Sequence, residues 1–170
     1  MNLLWNYYWP AIVAAVIVGV MTGRVAFQRF AGQRRIFAFV AGAIAAVGLT
    51  ALWHGPLGSG DRLANSLQTS VRQLLVAFEV PQFQSQVERS PIRRTILLSG
   101  PADKFQRAET VRILNDTPGV AAARWKDSSG GSSLPVLAEV TLASLVAFGL
   151  GLLLSYLLEL RRRSRSEWRW

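Results

Sequence analysis

Three long apolar stretches divide the chain. The first runs from Leu3 to Thr22 without a charged residue, the second from Ile36 to Trp53, and the third from Leu134 to Leu158 with Glu139 as its one charge. At 1.5 Å per residue the eighteen residues of the second stretch make a helix of about 27 Å, close to the thickness of a bilayer's hydrocarbon core. Stretches this long predict transmembrane helices over about 3–23, 36–53 and 134–160. A soluble chain of this size could not bury three helices that are apolar all round.

Between the second and third stretches the pattern changes. Gly55-Pro56-Leu57-Gly58-Ser59-Gly60 and Asp127-Ser128-Ser129-Gly130-Gly131-Ser132-Ser133 read as flexible linkers. They enclose residues 61–126, enough for one small domain with a marginal core. Leu63, Leu67, Val71, Leu74, Leu75 and Phe78 recur at steps of three and four, predicting a helix over 61–79 with Asp61 at its N-terminal cap and Pro81 beyond its end. Phe83–Val87 predicts a weak strand. Arg94–Ser99 alternates more clearly, with Ile96 and Leu98 on one face. Pro101 and Asp103 suit the first turn of a second helix, whose buried stripe is read as Phe105, Ala108, Val111 and Leu114. Val120–Trp125 completes the set. The predicted fold class is therefore a membrane, α-helical protein: three transmembrane helices plus a small α+β domain of order αββαβ.

Charge adds a direction. The 170 residues carry a net charge of +9 and a pI near 11.4. In a soluble domain that would suggest nucleic-acid binding, but here the arginines flank the apolar stretches. Arg24, Arg29, Arg34 and Arg35 lie between the first two, with no acidic residue. Arg161, Arg162, Arg163, Arg165 and Arg169 follow the third, against Glu167 and the bordering Glu159. The positive-inside rule then puts the short loop and the tail 161–170 in the cytoplasm, and the N-terminus and residues 54–133 outside a bacterial inner membrane. No Lys or Arg precedes the first stretch and no small-residue cleavage site follows it, so it is read as a span rather than a cleaved signal. Trp5, Tyr7, Tyr8 and Trp9 read as an interfacial aromatic belt. Arg161, Arg162, Arg163 and Arg165 are the residues expected at phospholipid headgroups, at about 1 kcal/mol each with anionic lipid.

Each span also carries small residues four apart: Ala11, Ala15, Gly19 and Gly23; Ala38, Gly42, Ala46 and Thr50; Ala143, Ala147, Gly151 and Ser155. Each set occupies one helix stripe where backbones can approach closely. The contacts could lie within the chain or with a partner, leaving room for a homo- or hetero-oligomer. Glu139 is expected to be solvated, to snorkel to the interface, or to pair with a partner's arginine.

Ile96-x-Leu98-x-Gly100, a helix carrying Ala108 and Val111, and Pro118-Gly119-Val120 together resemble the BON domain family across residues 61–126, most closely over 92–125. The resemblance implies a non-catalytic periplasmic module that contacts phospholipid or envelope proteins. Gly100 would allow the turn from strand to helix, and Gly119 the left-handed position after the helix. Arg89, Arg93 and Arg94 could meet phosphates or a partner's acids, although a solvated strand edge that resists aggregation is the plainer expectation.

Catalytic signatures are missing from the sequence. There is no cysteine, and the single histidine, His54, is read as a headgroup contact. No paired carboxylates, phosphate-binding glycine loop or serine elbow stands out, and the spans hold no buried charges for an ion pathway. The expectation is a protein that is not an enzyme and needs no cofactor or metal. One expected role is an inner-membrane adaptor presenting its outer domain to envelope proteins or phospholipid. The other is an accessory subunit of a larger respiratory, photosynthetic or motor complex, docked through the small-residue faces.

Overall fold

A computed structural model describes residues 3–128 and 133–167, apart from the side chains of residues 3 and 165–167. The element order is α1 (Leu3–Arg29), α2 (Gln33–His54), α3 (Ser59–Ala77), β1 (Gln84–Arg89), β2 (Ile92–Ser99), α4 (Lys104–Asn115), β3 (Ala122–Trp125) and α5 (Val136–Glu167). The chain forms two compact units, Met1–Tyr7 with Leu57–Glu139, and Tyr8–Pro56 with Val140–Trp170.

The second unit is a bundle of α1, α2 and α5, each long and apolar enough to cross a membrane. Its interior is built from small residues. Gly19 of α1 and Gly151 of α5 meet backbone to backbone: a Cβ on either would fall 3.0 Å from the other's Cα and collide with a carbonyl oxygen, that of Phe148 or Val16. One turn on, a Cβ at Gly23 would lie 2.7 Å from Ser155 Cβ. The contacts advance in the same direction on both helices, so α1 and α5 run parallel. Helix α2 runs antiparallel to them, with Gly42 against the Thr22 side chain and Phe39 5.6 Å from Phe27 between ring centroids. Near its other end the buried Thr50 and Ser144 hydroxyls hydrogen-bond at 2.9 Å. Ala15, Ala46, Ala147 and Phe148 form the buried centre.

Large apolar side chains point the other way. Ile44 is 67% exposed and Val146 66%, and Ile17, Met21, Phe37, Leu142, Leu150 and Leu153 are exposed as well. Small and hydroxylated residues inside, with branched apolar residues outside, invert the arrangement of a water-soluble bundle.

Helices α1 and α5 extend beyond the spans expected from the apolar stretches. Arg24 and Arg29 belong to α1, and Arg161–Arg163 continue α5, where a loop and a tail were expected. Arginine is a good helix former, and a cation is favourable in a helix's last turn. The chain reverses only at Phe30–Gly32, where Gly32 has φ 55°. Arg35 secures that turn by donating from its Nε and Nη2 to the Phe30 carbonyl at 3.2 and 3.1 Å.

The other unit contains a three-stranded sheet of order β1-β2-β3, with β1 antiparallel and β3 parallel to β2. Ile96 and Leu98 pair with Val87 and Ser85 on one side and with Ala123 and Trp125 on the other. Their side chains are buried, as are Leu63, Leu67, Val71 and Leu75 of α3 and Leu114 of α4. A helix amide closes each sheet edge. Gln68 Oε1 accepts from Val87 N–H at 2.8 Å, and Asn115 Oδ1 accepts from Ala123 N–H at 2.8 Å. These bonds satisfy backbone groups that an edge strand would otherwise leave open.

Two local readings change. Helix α4 begins after Pro101, at Lys104, because Asp103 caps it: Asp103 Oδ1 accepts from Gln106 N–H at 2.7 Å and Gln106 Oε1 from Asp103 N–H at 3.1 Å. This is a capping box. The buried residues of α4 are Thr110 and Leu114, while Ala108 is exposed and Phe105 is 77% exposed. A ladder of threes does not stay on one face. Nine residues at 3.6 per turn carry Phe105 about 180° from Leu114. Helix α3 likewise starts at Ser59 with Gly58 as its cap, leaving Asp61 in the first turn.

Replacing Gly19 or Gly151 by alanine should destabilise the bundle by about 1–3 kcal/mol through overpacking. Gly149 has open space where a Cβ would stand, so Gly149→Ala should be neutral or slightly stabilising. Thermal unfolding in detergent, followed by helical circular dichroism, checks the contrast; equal behaviour of the three variants would refute the close backbone contact.

Candidate functional site

The αββαβ region carries its candidate contact surface where the C-terminal end of α3 faces the first turns of α4. Leu74, Leu75, Phe78, Val80, Phe83, Phe105 and Ile113 line an apolar cleft of about 190 Å³, with Gln106, Glu109 and Thr110 at its polar border. Phe105 is 77% exposed and Phe78 53%. The shift in α4's phase creates this surface, because the ring expected in the core stands at the rim. Such a patch of aromatic residues with a polar border is suited to a protein partner.

The residues that carry the BON-like pattern are spread over the same region. Ile96 and Leu98 are buried in β2, and Gly100 follows with φ 134°, where a Cβ would fall 3.0 Å from the Gln82 carbonyl oxygen. Gly119 has φ 99°, and Val120 beyond it is buried, while Val111 is half-buried and Pro118 exposed. The turn after β3 is held by Arg107 of α4. Its guanidinium lies 4.8 Å from the centre of the Trp125 ring and bonds Asp127 at 2.8 Å, and Trp125 Nε1 donates to the Arg107 carbonyl at 3.1 Å. The bond from Arg107 holds the Asp127 carboxyl below the usual carboxylate range, and Arg112 does the same for Glu109. Both contributions to stability are therefore present above the ordinary carboxylate values and fade as pH falls through the lowered ones.

The arginines considered as phosphate contacts are engaged within the chain. Arg89 donates to Asn65 Oδ1 at 2.7 Å. Arg93 and Arg124 approach the Glu88 carboxylate at 3.8 and 4.0 Å across the three strands. Arg94 grips Glu139 with two bonds, Nε to Oε2 at 3.0 Å and Nη2 to Oε1 at 3.3 Å. Glu139 thus pairs with an arginine of its own chain, 45 residues earlier. Neither local periodicity nor spacing signals that pair. The returning segment runs beside it: Ser133 N–H donates to Thr95 Oγ1 at 3.1 Å, and Pro135 bridges to Arg93.

The small-residue stripes lie on the bundle's inner contacts at Ala11, Ala15, Gly19, Gly23, Gly42, Ala46, Ala147, Gly151 and Ser155, all of them buried; Ala143 is half-buried. Of the expected headgroup residues, Arg161, Arg162 and Arg163 are exposed on the last turns of α5, with Arg163 bonded to Glu159 at 3.1 Å; the side chain of Arg165 lies outside the described residues. Among the described residues no three His, Cys, Asp or Glu side chains come together as a metal site. No protein-family model, curated protein or solved structure matches the chain.

Arg94→Met or Glu139→Gln, each leaving a half-buried partner behind, should destabilise the β2–α5 contact by about 1–3 kcal/mol. Combining the two should cost less than the sum of the single losses. Hydrogen exchange at the β2 amides of the full chain in detergent measures this, and strictly additive losses would show the two side chains to be uncoupled.

Proposed function

We propose that the chain is a non-enzymatic adaptor of a bacterial inner membrane. In this reading α1, α2 and α5 span the bilayer and the αββαβ region lies in the periplasm as a BON-like module. The arginines at the ends of α1 and α5 and the start of α2 keep that end of the bundle in the cytoplasm. The inverted bundle carries the reading: its packing surface is small and hydroxylated, and its outer surface is branched and apolar, which suits hydrocarbon and not water. The α3–α4 cleft is the surface offered to an envelope protein, with Phe78 and Phe105 as anchors.

The accessory-subunit alternative relied on the small-residue faces for docking. Gly19, Gly23, Gly42 and Gly151 meet helices of their own chain, which favours the adaptor.

The cysteine-free sequence makes topology directly measurable. In spheroplasts, a membrane-impermeant maleimide should label Lys126→Cys and leave Ser164→Cys unlabelled; the reverse pattern would overturn the orientation. Phe78→Ser with Phe105→Ser should reduce recovery of a cross-linked envelope protein about tenfold or more, since anchor residues contribute about 2 kcal/mol or more each. Undiminished recovery would remove the cleft from the reading.

A further inference from the structure

At the arginine-rich end of the bundle, α1 and α5 separate enough to leave a cleft of about 270 Å³. Val20, Phe27 and Leu158 form its apolar wall. Arg24, Gln28, Ser155, Glu159 and Arg162 supply its polar groups. The cleft is formed where Gly23 brings Ser155 against α1, and the Phe27 and Tyr156 rings meet at a tilt, 5.5 Å between centroids.

The charges within it are not equivalent. Glu159 accepts from Arg163 Nε at 3.1 Å, and the Arg162 guanidinium acts on the same carboxylate through its charge. Arg24 and Arg162 make no ion pair or side-chain hydrogen bond among the described residues. Two guanidiniums that bond no other side chain among the described residues therefore face a partly enclosed space with an apolar wall. A guanidinium offers planar paired donors that match the oxygens of a phosphate. A small soluble anion would use the cations and leave the apolar wall wet. A ligand that carries a phosphate and a hydrocarbon chain on the same molecule satisfies both.

We propose that this cleft binds one anionic phospholipid, with the phosphate held by Arg24 and Arg162, Ser155 as a further hydrogen-bond donor, and the acyl region against Val20, Phe27 and Leu158. The site differs from a general attraction of the C-terminal arginines to the membrane surface, because it requires one residue from α1 and one from α5. It rests on the reading of α1 and α5 as membrane helices, with this end at a leaflet rich in anionic lipid. Depth also fits, since the arginines continue the helices and lie at the boundary between apolar and basic sequence.

Native mass spectrometry of the full chain, purified in mild detergent and incubated with phosphatidylglycerol or phosphatidylcholine, tests the assignment without depending on membrane orientation. The expected result is one tightly retained phosphatidylglycerol, with phosphatidylcholine retained at least about tenfold less. Arg24→Gln and Arg162→Gln should each weaken retention about fivefold, the equivalent of about 1 kcal/mol per arginine. Arg34→Gln and Arg161→Gln remove the same charge away from the cleft and should leave retention within about twofold. Equal losses in all four variants would reduce the effect to bulk charge and overturn the site, as would equal retention of the two lipids. Displacement of the lipid by inorganic phosphate would assign the cations to a soluble phosphate ligand and overturn the lipid assignment. Melting of each variant, read by circular dichroism, separates loss of the site from loss of the bundle. The maleimide pattern tests orientation separately, so lipid retention with reversed labelling would refute the topology and leave the site standing.

Discussion

Gly19 and Gly151 let two helices touch through their backbones, and much of the bundle follows from that contact. In hydrocarbon, helices gain nothing from hiding apolar surface, because lipid chains are as apolar as leucine. Association then depends on close dispersion contacts and on hydrogen bonds between helices. A seam of glycine, alanine and serine brings α1 and α5 near enough to make them. The same seam leaves the bulky residues no place inside, so leucine, isoleucine and valine cover the outside. The inverted surface is thus a consequence of how the helices pack as well as of where they would lie.

The sheet-bearing unit follows a different physics. Its apolar core is small: a row of four α3 residues, one leucine of α4 and alternate positions of three short strands. Polar contacts complete what the core leaves open. Gln68 and Asn115 occupy the two sheet edges, Asp103 and Gln106 close the start of α4, and Arg107 fastens the end of β3. Arg94 ties β2 to the first turn of α5. Each bond is modest in water, and their number matters more than any single strength. Six of the arginines in this region, Arg89, Arg93, Arg94, Arg107, Arg112 and Arg124, are held by partners within it.

The sequence made some of this legible and hid the rest for identifiable reasons. Length and apolarity disclose the three long helices, since no other structure accommodates such stretches. Spacing by four discloses the small-residue stripes, because 3.6 residues per turn keep steps of four nearly in line. Helix ends were harder, because arginine propagates a helix as readily as leucine does, and hydropathy sees only the change in polarity. The stripe assigned to α4 failed on phase: a repeated step of three rotates off the face it began on. The partner of Glu139 lay 45 residues away, and no local pattern reports a contact of that kind. The cleft at Arg24 and Arg162 was hidden in the same way, since it exists only where residues about 140 positions apart come together on parallel helices.

Parallel packing of α1 and α5 connects the charge pattern to the candidate lipid site. Helices that run in the same direction bring their C-terminal ends together, so the arginines of both collect at one end of the bundle. A helix C-terminus also carries exposed carbonyl groups and partial negative charge, which cations relieve. In the proposed topology the distribution of arginine would serve two ends at once: it would bias the chain's direction across a bilayer and supply guanidiniums to a cleft between the helices. Glu159 is the one carboxylate of the cleft, bonded to Arg163 and within the electrostatic reach of Arg162. A carboxylate in a basic site would ordinarily argue against anion binding; here Arg24, Arg162 and Arg163 outnumber it, so the end of the bundle keeps a net positive charge for an anion that the apolar wall admits.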